Sequence, residues 1–479
     1  MVEESVAHKT ARTSFWGGIE KISGLGIQFV VSMLLARFLT PSDYGVVAML
    51  MVFIAISNQF VSCGFVNALI RKKECYDIDY NTAFYFNLVV SFVFYIILFF
   101  AAPYIAQFYK MDILCPVLRA CALSVPIGAL TLVQSAILQR YLEAKKQAYI
   151  SLLVGLISGF IAITFAYSGF GVWSLVIHQL ISGILNTLCL WYRSRWYPKL
   201  QYSIDSMRYL WGFGSKMLLT GIISVTYSNM YSIVIGKFYN SSSLGLFNRG
   251  QSISLLLPNV LEGIFVKNSL PIMAQLQDDK ERMIIVYRDF VSLACFLTFP
   301  VVFLVAILAE PFVVFILTSK WLGCVVFIQI FSLNSLLSPA NSVNLNLLQV
   351  FGRSDYTLKA EIIKKSTGLI LIFILLPYGP LYLAIGSSSF SIVVYWVNLY
   401  YAKKLSGLSY WDQVKDMIPI LLSCSIMSLV VFLVIEPLES NLNKLIVGGV
   451  SGCISYSVLA HFVFKIKIVD KLLEFIKKS

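Results

Sequence analysis

The sequence predicts an all-α polytopic membrane protein with fourteen transmembrane helices: two pseudo-repeated six-helix lobes followed by two more helices. Three observations carry this. Of the 479 residues, 58% are hydrophobic and only 13% are charged, half the ~25% charge of a soluble domain. The apolar residues gather into runs of spanning length, and a span needs ~20 of them. Lysine and arginine concentrate in every second break between runs, as the positive-inside rule requires. With a mean hydropathy of +0.80, the chain has too little charge to cover a soluble surface. A cytosolic enzyme, a nucleic-acid binder and a disordered chain are excluded.

The runs fall near residues 15–38, 46–69, 82–101, 114–138, 149–167, 171–192, 210–235, 247–272, 290–309, 322–349, 366–377, 381–401, 417–435 and 445–463. Of 37 Lys and Arg, 27 lie in segments that face inside if the N-terminus starts inside, 6 at the opposite ends, and 4 (Lys21, Arg119, Lys216, Lys267) at membrane depth. A missed helix would flip this alternation partway, so both termini are expected in the cytoplasm. The same rule accounts for the net charge of +13 without nucleic acid. Residues 465–479 alternate basic and apolar side chains. They fit an amphipathic helix on the inner membrane face and equally a solvated end held there by its lysines. The nine cysteines form no C-x-x-C pair and the three histidines are scattered, so neither disulfides nor a metal cofactor are expected. The apolar stretch after Arg12 is too long for a cleavable signal.

Three matches in the same order indicate an internal repeat. Trp16-Gly17 with Lys21 matches Trp211-Gly212 with Lys216. Arg37-Phe38 with Gly45 matches Lys237-Phe238 with Gly245, at an offset of 200. Leu138-Gln139 with Gly169 matches Leu348-Gln349 with Gly379. The repeat divides the chain into an N-lobe (1–208), a C-lobe (209–401) and an addition (402–479) holding two helices and the basic tail. Both halves start on the same side, so their pseudo-axis runs along the membrane normal. Repeat-built transporters place substrate at the repeat interface and work by alternating access.

The stretch Ser14 to Lys21, then Gln28-Phe29-Val30, then Leu35-Ala36-Arg37-Phe38-Leu39-Thr40-Pro41-Ser42-Asp43-Tyr44-Gly45 resembles the opening of bacterial polysaccharide exporters. These are the Wzx-type flippases of the multidrug/oligosaccharidyl-lipid/polysaccharide superfamily. Within them it is most similar to the branch with colanic acid and teichuronic acid exporters. Leu246-Phe247-Asn248-Arg249 to Pro258 and Leu270-Pro271 also fit. The resemblance implies an inner-membrane protein that turns over a glycan linked to undecaprenyl pyrophosphate for lipopolysaccharide, O-antigen or exopolysaccharide assembly. Membrane lipids and the assembly machinery are its implied partners, with the chain acting as a monomer.

Such a substrate needs a polar, cationic cavity, and charges inside spans usually face an interior. The first span carries Gly17, Lys21, Gly24, Gln28 and Ser32 on one face; the seventh carries Lys216, Thr220, Ser224, Tyr227 and Tyr231; the eighth carries Gln251, Asn259, Glu262 and Ser269. Stripes of small polar residues also serve to pack helices. The candidate substrate-binding residues are Lys21, Lys216, Gln28, Asn259, Arg37, Lys237 and Arg249. Lys21 and Lys216 lie roughly 10 Å from the inner ends of their spans, where snorkelling competes with a cavity role. Arg119 fits either role, and His178 reads as a packing residue. The tenth span, with Asn334, Asn341, Asn344, Asn346 and Gln349, is polar all round and reads as buried in a bundle or facing a wet cavity. No nucleotide motif is present, so drive must come from a gradient. Glu20 and Glu262 are the candidates for H⁺ or Na⁺ coupling, and an ion pair between Glu262 and Lys216 or Lys21 is the competing role. Asp77-Ile78-Asp79 matches the D-x-D of glycosyltransferases but sits in a short loop without a fold to hold a sugar nucleotide. A drug–cation antiporter of the same superfamily is the alternative. A polysaccharide polymerase or ligase would need a large outer loop, and none is present, so no enzyme activity is expected.

The topology is testable by cysteine-accessibility labelling. Probes at Tyr104 and Glu439 are expected to react from outside and a probe at Ser479 only after permeabilisation. Outside labelling of Ser479 would sink the arrangement.

Overall fold

The computed structural model describes residues 24–466 apart from residues 25 and 142. No strand occurs among them. In chain order the helices are α1 (Gly26–Phe38), α2 (Pro41–Ser62), α3 (Phe65–Arg71), α4 (Asp77–Tyr109), α5 (Leu114–Ala122), α6 (Ser124–Ala129), α7 (Leu132–Arg140), α8 (Ala144–Tyr167), α9 (Val172–Ser194) and α10 (Ile204–Ser228). They continue with α11 (Met230–Phe238), α12 (Ser241–Ala274), α13 (Lys280–Ile307), α14 (Ala309–Phe312), α15 (Val325–Ser335), α16 (Ser338–Val350), α17 (Ser354–Leu375), α18 (Pro380–Ser406), α19 (Tyr410–Ile435) and α20 (Asn441–Val458).

Among the described residues, nine helices are long and apolar enough to cross a membrane, or up to 11 if two bent pairs each count as one span. The bent pairs are Leu114–Ala129 with Leu132–Arg140, and α10 with α11. The expected fourteen exceed this for physical reasons. Only the later part of the first run lies in the described residues. The helices α12 and α17 cover their expected runs but carry too many charged and polar side chains, Arg249 and Glu262 in α12 and Lys359 to Lys365 in α17.

Packing divides the chain into two compact units, Met1–Gly245 and Leu246–Ser479. This division reflects contact and the repeat reflects sequence, so the two boundaries differ: α10 and α11 pack with α2 and α4 in the first unit.

The start of α2 explains the L-T-P-x-D-Y-G motif. Thr40 is the N-cap in extended backbone, and Pro41 fills the first turn, where no amide donor is needed. Thr40 and Asp43 exchange capping-box bonds, Asp43 N to Thr40 Oγ1 at 3.3 Å and Thr40 N to Asp43 Oδ2 at 2.9 Å. Tyr44 donates its hydroxyl to the Ser32 carbonyl at 3.0 Å, tying α2 back to α1. Two hundred residues on, Asn240 accepts from the Ser243 amide at 2.7 Å and starts α12 in the same way.

These two helix starts meet. A Cβ on Gly45 would stand 1.8 Å from the Ser241 carbonyl oxygen, and a Cβ on Gly245 1.8 Å from the Pro41 carbonyl oxygen. The Ser42 and Ser241 hydroxyls share a hydrogen bond of 2.7 Å. Positions matched at an offset of 200 therefore touch each other reciprocally, as in an isologous pair. Elsewhere in the first unit α8 carries Gly155 and Gly159, four residues apart, where added Cβ atoms would meet Ile27 at 2.8 Å and Val31 at 2.4 Å. This small-xxx-small face lets α1 lie close on α8.

In the second unit α13 packs on α15, α16 and α19, and α19 lies along α20. Its core holds Tyr287, Cys295, Phe299, Val343 and Leu347, all almost fully buried. A polar network runs through that core, with Asn344 Nδ2 its one atom left without a partner among the described residues. Tyr287 donates to Asn344 Oδ1 at 2.6 Å, Tyr395 donates to Gln413 Oε1 at 2.9 Å, and Gln413 Nε2 donates to Asn344 Oδ1 at 3.2 Å and to the Tyr287 hydroxyl. It ties α13, α16, α18 and α19 together by directional bonds where lipid-like packing alone gives little specificity.

Because backbone carbonyls occupy the space a Cβ would take, Gly45→Ala and Gly245→Ala are each expected to destabilise by at least ~1–3 kcal/mol. Melting of the purified protein in detergent measures this. Wild-type melting of both variants would contradict the contact.

Candidate functional site

The cations expected to serve a cavity have distinct surroundings. Lys21 and Glu20 lie outside the described residues. Lys237 donates to the Phe108 carbonyl and sits 4.0 Å from the Phe108 ring centre. That carbonyl belongs to the last turn of α4, which lacks intrahelical donors and attracts cations. Arg37, its counterpart at the end of α1, is exposed. Arg249 is 5% exposed and lies 5.7 Å from the Trp321 ring centre. Arg119 donates to the Phe99 carbonyl at 3.3 Å and covers the Phe99 ring at 4.3 Å. Lys216 is exposed on α10 and makes no ion pair among the described residues. Its stripe is shorter than the spacing suggests. Thr220 bonds back to the Lys216 carbonyl at 3.2 Å, but the axis bends by 42° between α10 and α11, so Tyr231 does not continue the line.

On α12, Asn259 is exposed while Glu262 and Ser269 turn toward α16. Ser338 and Ser342, one turn apart on α16, each donate a hydroxyl to a different oxygen of the Glu262 carboxylate. Asn346, one turn further, donates to Ser269 Oγ at 2.8 Å and to the Val266 carbonyl at 3.0 Å. Among the described residues Glu262 makes no ion pair. The polar-all-round character of this span thus resolves into two faces. Ser338, Ser342 and Asn346 meet α12, and Asn341 and Asn344 meet α18, α13 and α19.

Gln28 lines a polar cleft of about 320 Å³ within the first unit, bounded by α1, α8 and α9. Ser151 and Ser158 of α8 and His178, Ser182 and Asn186 of α9 line it too. The last three recur every four residues and form one stripe. In the sequence His178 reads as a packing residue, and Ser182, Asn186, Ser338 and Ser342 do not stand out. The signal was present as i, i+4 spacing, but short polar side chains on membrane helices are too common to stand out.

The D-x-D carboxylates, expected in a loop, lie in the first turn of α4 just after the loop 72–76, and both are held there. Asp79 is almost fully buried, accepts from the Tyr76 amide at 3.0 Å and pairs with Lys72 at 2.6 Å. Asp77 lies 3.6 Å from Lys199. Arg140 donates to the Leu69, Lys72 and Lys73 carbonyls at 2.6–2.8 Å and closes the end of α3. In the same loop burial pushes the Cys75 thiol up from its ordinary pKa.

The serine pair has a measurable role. Hydrogen bonds to a charged group contribute ~1.5–3 kcal/mol each. Ser338→Ala with Ser342→Ala is expected to lower thermal stability by ~3 kcal/mol or more, and Glu262→Gln, which keeps a side-chain acceptor, by less. The opposite order of melting temperatures would remove the serines as partners of Glu262.

Comparison with known proteins places this arrangement. The chain is 22% identical over 362 residues to the lipopolysaccharide biosynthesis protein WzxC of Escherichia coli K12, covering 75% of this chain and 74% of that one. It is 23% identical over 315 residues to the succinoglycan biosynthesis transport protein ExoT of Rhizobium meliloti, covering 66% and 64%. Its fold matches that of the lipid II flippase MurJ in an inward closed conformation, with TM-score 0.75, 17% identity and coverage of 95% and 99%. An inward-facing multidrug resistance MATE family transporter matches with TM-score 0.60, 13% identity and coverage of 81% and 99%. A family model described as polysaccharide biosynthesis protein matches residues 34–326, more than half of the chain, and the chain belongs to that family.

Proposed function

We propose that this multi-pass membrane protein is a flippase that moves a lipid-linked oligosaccharide across the bacterial inner membrane by alternating access. The observation that carries this is the family match over residues 34–326. The relatives named for lipopolysaccharide and succinoglycan biosynthesis, and the flippase fold, point the same way. Fourteen spans fit this reading if α1, α12 and α17 join the nine apolar helices and the two bent pairs; the polar content of α12 is then that of a helix beside a hydrated path. Both termini lie in the cytoplasm on this reading.

The carrier is undecaprenyl pyrophosphate, and the cations that meet it are Lys216 and, from the preceding half, Lys21. The exposure of Lys216 supports this, as does its lack of an ion pair among the described residues, because an unpaired cation at membrane depth needs water or an anion. Arg37 and Asn259 are exposed and remain candidates for the path. Lys237 and Arg249 have protein surroundings that favour a positioning role. Glu262 is the coupling residue, taking H⁺ or Na⁺; its partners are hydroxyls rather than a lysine, which leaves its charge uncompensated.

Deletion is expected to stop surface glycan display and leave lipid-linked repeat units on the cytoplasmic leaflet. Lys216→Ala, at normal protein level, is expected to slow turnover in proteoliposomes about tenfold or more, since losing a charge-assisted contact costs ~1.5–3 kcal/mol. Normal glycan in a deletion strain lacking a second exporter would overturn the assignment. Full activity of Lys216→Ala would reduce this lysine to snorkelling.

A further inference from the structure

The cleft between α1, α8 and α9 has a chemistry the cationic path does not account for. Its lining brings together the amides of Gln28 and Asn186, the His178 imidazole and the hydroxyls of Ser151 and Ser182. Among the described residues, none of these five side chains has a hydrogen-bond partner. Ser158, deeper in, is spent on the Val154 carbonyl at 2.6 Å. Single polar atoms elsewhere in the helices also lack a partner, among them Gln179 Oε1, Ser174 Oγ and Asn344 Nδ2; what sets the cleft apart is that five such side chains share one cavity. Five polar groups without partners among the described residues, converging in one cleft at membrane depth, suit water or a polar ligand rather than hydrocarbon.

The lining also states the ligand's character. Among the described residues no Lys, Arg, Asp or Glu lines the cleft, so that part of it is a poor seat for pyrophosphate. It offers amide, imidazole and hydroxyl groups, each able to donate or accept, over an eight-residue stretch of α9, about 12 Å of helix. That combination suits a ligand with several neutral hydroxyls in a ring of fixed geometry. We propose that this cleft is a subsite for an uncharged sugar of the lipid-linked glycan, distinct from the Lys216 contact to the pyrophosphate. The inference rests on the flippase reading and adds to it a division of labour. Lysines recognise the carrier shared by all such substrates, and the neutral cleft of the first unit selects the sugar. The close seat of α1 on α8 at Gly155 and Gly159 holds the Gln28 stripe against the Ser151 stripe, so one wall of the subsite is preformed.

Binding of two synthetic carriers to the purified full-length protein tests this. One is bare undecaprenyl pyrophosphate and the other bears a single neutral hexose, with glucose and galactose run in parallel. Wild type is expected to bind at least one hexose-bearing carrier about tenfold or more tighter than the bare one. Ser182→Val with Asn186→Leu, which fills the cleft with apolar groups, should abolish that preference and leave the bare carrier's affinity unchanged. Lys216→Ala should weaken both carriers by the same factor and keep the preference. If the filled variant does not fold, Ser182→Ala and Asn186→Ala are read singly, each expected to cut the preference at least threefold. Equal binding of all carriers by wild type, or an undiminished preference in the cleft variants, overturns the sugar subsite and leaves the flippase reading intact. Wild type that binds no carrier overturns both.

Discussion

The architecture of the first unit depends on a backbone contact that excludes side chains. At the starts of α2 and α12, the carbonyl oxygens of Pro41 and Ser241 occupy the places where Gly245 and Gly45 would carry Cβ atoms. Everything around the contact serves to make it possible. The caps at Thr40 and Asn240 fix where each helix begins, because a shift of one residue would turn the glycine away from its partner carbonyl. Pro41 presets the first turn, and the Tyr44 bond to Ser32 fixes the angle at which α1 enters. The result joins the tips of two helix pairs, α1 with α2 and α11 with α12, through a reciprocal interface. It also gives the motif shared with polysaccharide exporters a physical cause: Thr, Pro, Asp, Tyr and Gly each fill one geometric requirement of the junction.

Polar groups at membrane depth divide into those the protein satisfies and those it leaves open, and the division separates architecture from function. Leaving a buried polar group unpaired costs ~1–3 kcal/mol. The Tyr287–Asn344–Gln413–Tyr395 network answers that cost within the bundle and joins four helices. Arg119 and Lys237 answer it with backbone carbonyls of α4 and the faces of Phe99 and Phe108. Lys216 and the cleft at His178, Ser182 and Asn186 lack such partners among the described residues, which is what makes them the candidates for water or substrate. Charge at depth is therefore a weaker guide to function than charge at depth without a partner.

This explains which parts were legible in the sequence. Helical class and membrane residence follow from composition, because lipid admits no other use for so many apolar residues. The equivalence of Gly45 and Gly245 was visible as a repeat, but their contact was not, since a sequence offset does not say that matched positions touch. The number of spans was less legible. Hydropathy cannot tell whether a polar helix such as α12 spans, nor signal the bend at Asn229, whose side chain bonds back to the Val225 carbonyl at 2.8 Å. Site residues were read unevenly for a related reason. A lysine in an apolar run is conspicuous, so Lys216, Lys237 and Arg249 were equally visible, yet what distinguishes them is the surroundings that folding supplies. The serines around Glu262 were invisible for the opposite reason: a hydroxyl becomes informative only when its partner is known.

The surroundings of Glu262 bear on the coupling role proposed for it. A carboxylate paired with a lysine has its charge neutralised by the protein, and binding a proton or Na⁺ would have to break that pair. Two hydroxyl donors act differently. They satisfy the oxygens and fix the orientation of the group, but they supply no countercharge, and an uncompensated charge at membrane depth is costly. A bound proton or Na⁺ relieves that cost without breaking an ion pair. Because Ser338 and Ser342 belong to α16 and Glu262 to α12, filling the site also changes the bond between two helices. On its opposite face α16 is held by the network through Asn344 and by Asn341, which accepts from Asn398 at 3.1 Å. A change at Glu262 is thereby felt by a helix already anchored to α13, α18 and α19. If Glu262 couples as proposed, the second unit has a physical route from ion occupancy to helix packing that does not pass through the substrate's own binding groups.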